Sequence, residues 1–303
     1  MPRLITCGDT GVASLQEAIE QLDTQLFDPR DDASLANAAV ALRRLANNRE
    51  FLGNLMIEQL ASGRSEPKES GVGYGPQSMV LSGVGNGYFL RANIWPSERD
   101  AILAASGSQS FVYGVPHDHN FSFLTVGYFG PGYRSRYYEY DYASVVGNIG
   151  EKPELRFIEE SALHEGKMQL YRAHLDIHDQ IPPESLSVSI NVMQADEVSG
   201  WFDQYSFDLD TGEITGLINP NATESFLRIA VGLGGQEAFD LAERFGRTHP
   251  SERIRLACFE ARSGMLETAA ARDALWTAAE NNGSLRVARA ATQQRKALEL
   301  ERA

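Results

Sequence analysis

"YGVPHDHNF", Tyr113 to Phe121, places two of the chain's six histidines one residue apart, behind a glycine and a proline. Along a strand, residues i and i+2 share a face. On that reading His117 and His119 point the same way and Asp118 points the other. Two imidazoles that converge on one face can share a metal ion, because metal–nitrogen bonds of ~2.1 Å need convergent side chains. An ordinary strand surface can carry the same pair, so the neighbouring sequence has to decide.

That neighbourhood reads as β. From Met79 to about Ile218, "YFLRANIW" and "FSFLTVGYF" are aromatic and β-branched, and "YRSRYYEYDY" and "SLSVSINVM" alternate with period two. Gly, Pro and Asn bound each run, as they bound strands. "FGPGYR" (Phe129 to Arg134) and "IPPESL" (Ile181 to Leu186) read as hairpin turns. Short strands in succession, with tight turns and no helices between them, predict an antiparallel barrel or sandwich. A second histidine cluster falls in this zone: "YRAHLDIHDQIPPESLSVSINVM" sets His174, Asp176 and His178 on one face of a further strand.

Both flanks are helical. Between Ser14 and about Ser62, Leu35, Ala38, Ala39, Leu42, Leu45 and Ala46 recur near helical spacing. "SGRSEPKESGVGYGP" then reads as a loop. From Thr223 onward the chain is helical to its end, and "SERIRLACFEA" (Ser251 to Ala261) is echoed by "GSLRVARAATQ" (Gly283 to Gln293), a HEAT-like recurrence. The expectation is an α+β protein: a helical N-terminal segment over 1–75, an antiparallel β-barrel over 76–218 and a helical module over 219–303. Stacked helix pairs present partner surfaces, so that module is expected to suit a protein or peptide partner or a homodimer.

Composition narrows the function classes. The 303 residues carry 27 Lys+Arg against 41 Asp+Glu, a formal net charge of −14, with no basic run. Nucleic acid is therefore not an expected partner, because binding it needs a basic stripe. The two cysteines, Cys7 and Cys258, are too far apart in sequence to suggest a disulfide framework or a CxxC zinc site. The start lacks a basic segment followed by an apolar core, and no apolar run approaches the ~20 residues that cross a bilayer. A soluble, cytoplasmic protein without a membrane partner is the expectation.

Gly114, His117, His119 and Gly127 fit the first motif of the cupins, the double-stranded β-helix of small metalloenzymes, and His178 in "DIHDQIPP" fits the second. About Met79 to Gln194 therefore resembles that family. The four residues after His119 (Asn120, Phe121, Ser122 and Phe123) include no Glu. A three-His set without the carboxylate resembles the thiol dioxygenase branch, the relatives of cysteine dioxygenase, and "VPHDHNFSFL" is similar to their HDH strand. The resemblance implies a mononuclear non-heme iron dioxygenase with Fe(II), or alternatively Zn or Mn, on His117, His119 and His178. It implies O₂ and a small acidic or amino-acid-like substrate, with Arg91 in "YFLRANIWP" holding its carboxylate.

Several residues keep open roles. His174 shares the expected inward direction of His178, as the alternative third ligand, a neighbouring partner or a proton shuttle. Glu139 in "YYEYD" is a candidate for the missing carboxylate, brought by hairpin pairing across "GPG" opposite the strand after His119. The family's Ser-His-Tyr set reads Ser187, Ser189 and Asn191 here, so free cysteine is not the expected substrate. Tyr133, Tyr137, Tyr138, Tyr140 and Tyr142 can line a pocket for an aromatic or peptidic ligand. "HLD", His174 to Asp176, formally matches the HxD of 2-oxoglutarate oxygenases. The later histidine that class needs has no good candidate, since His178 is too close and His249 lies in the helical zone. A non-catalytic metal-binding cupin that recognises a ligand or partner is the rival from another class.

Overall fold

The structure, a computed structural model, describes residues 2–61, 77–220 and 222–302. The loop expected over 62–76 lies outside the described residues. The chain forms two compact units. One is built from the residues up to Ser144 with Lys152–Gly200 and Gln204–Gly216. The other is built from Val145–Glu151, Trp201–Asp203 and the residues from Leu217 on.

The first unit begins with β1 (Arg3–Leu4), then α1 (Leu15–Leu22), α2 (Asp32–Asn47) and α3 (Phe51–Ala61). Ser14 and Glu17 close a reciprocal capping box on α1, and the Asp31 side chain accepts from Ser34 N–H to start α2. The six helix-spaced residues of α2 noted in the sequence are all buried. Their partner is the outer face of a sheet made from β2 (Ser78–Val80), β3 (Tyr88–Trp95), β4 (Phe123–Phe129), β7 (Met168–Tyr171) and β9 (Ser187–Gln194), with β1 at one edge. A short helix, α4 (Ala101–Ser106), follows β3. Leu90, Ala92, Leu124, Val126, Ile190 and Val192 meet α1 and α2 in one apolar cluster.

A second sheet holds β5 (Arg134–Glu139), β6 (Arg156–Ala162) and β8 (Asp176–Ile181) in the order β6-β5-β8. The chain around His117 extends it. His117 bridges His178 of β8 on one side and Ser206 of β10 (Tyr205–Asp208) on the other, and β10 pairs with β11 (Glu213–Leu217). The sheets therefore run β3-β9-β4-β7 and His117-β8-β5-β6, and all their named strand pairs are antiparallel. Apart from the β2-β3 and β5-β6 neighbours, which pair within one sheet, successive strands from β3 to β9 pass between the two sheets, as in the jelly-roll order of a cupin-like core.

This order corrects the two hairpin readings. "FGPGYR" joins β4 of one sheet to β5 of the other, and "IPPESL" joins β8 to β9 across the same gap. Both are corners. Gly130 and Gly132 turn the first corner at φ +79° and +81°, and a Cβ on Gly132 would lie 2.0 Å from the Leu163 carbonyl oxygen.

The second unit holds α5 (Thr223–Gly232), α6 (Gln236–Thr248), α7 (Glu252–Gly264), α8 (Ala269–Glu280) and α9 (Leu285–Arg302). The two echoed segments open α7 and α9. Ser251 and Ser284 cap them through Ile254 N–H and Val287 N–H. Arg253 and Arg286, each two residues beyond its cap, both pair with Asp203 at 3.1 Å.

Gly132→Ala should destabilise the fold by more than Gly212→Ala, measured by denaturant unfolding. Gly212 has φ +72° with nothing within 4 Å of a Cβ, so its alanine carries only the left-handed strain of about 1–2 kcal/mol. Gly132 adds a backbone collision. Equal losses at the two positions would contradict the close approach.

Candidate metal centre

Strand alternation gives the inner face of the sandwich its composition. The residues that alternate with the α2-facing set are Phe89, Arg91, Asn93 and Trp95 on β3, Phe123 and Thr125 on β4, and Ser187, Ser189, Asn191 and Met193 on β9. One side of that sheet is thus apolar against helices and the other largely polar.

His117 and His178 face each other as a hydrogen-bonded antiparallel pair: His117 N–H donates to His178 O at 3.1 Å and His178 N–H to His117 O at 3.0 Å. That geometry sets the two side chains next to one another. His119, two residues on, joins them. The Nε2 atoms of His119 and His117 lie 3.0 and 3.1 Å from His178 Nε2. Two ligands at right angles on bonds of ~2.1 Å are about 3.0 Å apart. The ligand atoms all lie within 4.8 Å of one another. Two such bonds span about 4.2 Å when opposite and about 3.0 Å at right angles, so an ion at the widest separation requires those rings to close by at least about 0.6 Å. The cluster can hold a metal ion.

The protonation pattern suits that use. His117 Nδ1 donates to Val115 O at 2.7 Å, which leaves the Nε2 lone pair facing the cluster. The Gln204 amide lies 3.2 Å from His119 Nδ1 and also donates to Asp118 O at 3.2 Å. His178 Nδ1 is buried with no hydrogen-bond partner. Burial lowers the pKa of all three imidazoles, and well below the ordinary value for His119 and His178, where the neighbouring rings add repulsion. The rings are therefore neutral at pH 7, the form that ligates metals.

A cavity of about 160 Å³ opens on the cluster, and Arg91, Trp95, Phe123, Tyr133, Gln180 and Asn191 are among its lining residues. Burial pulls the Arg91 pKa down to about 10, so the guanidinium is still charged at neutral pH, and its buried Nε finds no acceptor. The Trp95 ring lies 4.0 Å from that of Tyr133 at a 34° tilt, and its N–H donates to Ser189 Oγ at 3.0 Å. Below them the hydroxyls of Tyr137 and Tyr171 meet at 3.0 Å. Burial raises all three tyrosines of this group, Tyr137 to about 12, so they stand as neutral phenols.

Two expected residues lie elsewhere. Glu139 is not across from the strand after His119, because β5 crosses to the other sheet. It sits opposite Asp176 and Arg156, and its carboxylate is held by Arg156 and by Arg172 at 2.7 Å. His174 is not on the β8 face shared by Asp176 and His178. It precedes the strand at φ +59°, its N–H donates to His119 O at 2.8 Å, and its ring lies 4.2 Å from Tyr142. Neither lines the cavity. Of the positions where the thiol dioxygenases carry acid–base groups, Ser189 is taken by Trp95 and Ser187 accepts from Gly132 N–H, while Asn191 lines the cavity. Tyr133, one of the tyrosines expected to line a pocket, lines the cavity, whereas Gln180 and Gln204 carry no motif that marks them as site residues. Gln180 was accessible from His178 by simple alternation, whereas Gln204 enters from a connection after β9 that no local pattern marks.

No family model and no curated protein sequence matches the chain. Among solved structures it is similar to a cupin domain from Bordetella pertussis Tohama I, at 13% identity and TM-score 0.23 over 41% of this chain and 100% of that one. It is also similar to the DMSP lyase DddQ from Ruegeria pomeroyi DSS-3, at 13% and 0.24 over 64% and 78%. A third is the hydroquinone 1,2-dioxygenase PnpCD, at 12% and 0.26 over 44% and 83%. These likenesses are distant, and the architecture is read from the strand pairing itself. No helix among the described residues is long and apolar enough to cross a membrane.

The lowered imidazole pKa values carry a sign. As pH falls below 6.5 the unfolded chain takes up protons before the folded one, so stability drops with acidification from that point downward. The metal-free protein should lose thermal stability between pH 7 and 5, and His178→Gln should lose less over the same range. Parallel pH profiles for the two proteins would refute the buried, neutral cluster.

Proposed function

We propose that the protein is a metal-dependent enzyme of the cupin type, a mononuclear non-heme iron dioxygenase acting on a small carboxylic acid. One observation carries the reading: a charged, half-buried Arg91 whose buried Nε is unused lines the same cavity as three neutral, converging imidazoles. A buried cation without an anion is costly, and the cost falls when a ligand brings the anion. The donor set fits a first-row divalent ion, since three neutral imidazoles suit iron and zinc alike. When bound on His117, His119 and His178, ferrous iron supplies open positions where an organic substrate and O₂ can be brought together.

The chain's own residues do the rest. The planar guanidinium of Arg91 fits a carboxylate with two parallel N–H donors, which fixes the acid's orientation. Phe121, Phe123 and Trp95 keep the approach apolar, which excludes water and strengthens that contact. A cavity of 150 Å³ accommodates benzene, so the available 160 Å³ points to an acid of comparable bulk. Asn191 offers a neutral hydrogen-bonding group for an amine or hydroxyl.

Anaerobically Fe(II)-loaded protein should consume O₂ with at least one small carboxylic acid bearing an amine, hydroxyl or thiol. Arg91→Met should raise KM for that acid by about 10–100-fold, the worth of a lost charge-assisted pair, with kcat changed less. Iron retained without O₂ uptake across the panel would reject the dioxygenase and leave a metal-binding cupin without chemistry.

A further inference from the structure

Gln180 is two residues beyond His178 on β8, so the two side chains share a face. It is 4% exposed and lines the cavity. Its Nε2 lies 3.2 Å from His178 Nε2, close to the 3.0 and 3.1 Å that separate the other imidazole nitrogens from the same atom. The end of the Gln180 side chain thus stands beside His178 at ligand spacing, in the cavity the three imidazoles line. Its Oε1 is buried and receives no hydrogen bond.

The two ends of the amide differ in what they offer a cation. The amide nitrogen has only N–H donors, whereas the oxygen has lone pairs and ligates hard divalent ions. A half-turn of the terminal amide exchanges the two atoms at almost constant volume. Nε2 is the amide atom turned toward His178 Nε2, at 3.2 Å. An ion on the His178 lone pair leaves no acceptor there for the amide N–H, and no donor holds Oε1 where it is. Gln204 behaves differently: its amide donates to Asp118 O and lies against Nδ1 of His119, the side of the ring that orients it.

We infer that Gln180 is a fourth ligand, through its carboxamide oxygen, to the ion held by His117, His119 and His178. The inference rests on the metal-centre reading above. A set of three imidazoles and one amide is uncharged, so the ion keeps its full positive charge beside Arg91 and favours an anionic substrate.

The test is Co(II) binding by chelator competition, read with the visible absorption of the bound ion, in wild type, Gln180→Met, Gln180→Glu and His178→Gln. Met matches the length of Gln without a hard oxygen. It should weaken Co(II) about tenfold or more and change the absorption bands. Glu keeps an oxygen in place and should bind at least as tightly as wild type. Wild-type affinity and bands in Gln180→Met, with binding lost in His178→Gln, would overturn this inference alone. No Co(II) uptake by the wild type would overturn the metal centre together with it. Should Gln180→Met fail to fold, Gln180→Asn decides, because it keeps the amide and withdraws its oxygen by one methylene: weaker binding with shifted bands supports ligation, and wild-type affinity and bands reject it.

Discussion

The paired hydrogen bonds between the backbones of His117 and His178 are the constraint on which the site depends. They hold a segment with little regular structure of its own against the edge strand of one sheet. Once that register is set, alternation places His119 beside the pair, and β8 brings Gln180 to the same face. A slip of one residue would send every one of these side chains to the opposite face. The register is fixed from both sides, because Asp118, on the other face of the segment, accepts from Tyr205 N–H and from the Tyr140 hydroxyl.

The second constraint is the division of labour between the faces of the larger sheet. The α2 helix buries one face, so the stability of the unit is drawn from Leu90, Leu124, Ile190 and their neighbours. The other face is released from that task. It can carry Arg91, Asn191 and Thr125, groups that a core built only for stability would leave out. Thr125 Oγ1, Gln180 Oε1 and Arg91 Nε are all buried without hydrogen-bond partners. Of these, Gln180 and Arg91 line the cavity, where a ligand has bonds to supply.

Much of this was legible in the sequence. The strands written as "YFLRANIW" and "SLSVSINVM" appear as β3 and β9, and the helical spacing of Leu35 to Ala46 is the buried stripe of α2. His117, His119 and His178 were legible because histidines at spacing two and a third before a proline-rich corner form a pattern that survives translation into space. Glu139 and His174 were misplaced for two different physical reasons. A glycine-rich turn looks the same in sequence whether it closes a hairpin or carries the chain to a second sheet, so the partner of Glu139 was not readable. A single left-handed residue, here His174, breaks the period of two without any Gly or Asn to announce it. Gln204 was out of reach because its approach to His119 is set by tertiary packing.

The most direct test of the account is the metal content of protein purified without added metal, measured by elemental analysis beside His117→Ala. The account predicts about one iron per chain in the wild type and its loss in the variant. Absence of metal from both proteins, even after anaerobic loading with Fe(II), would contradict it and reduce the three imidazoles to neighbours in a polar interior.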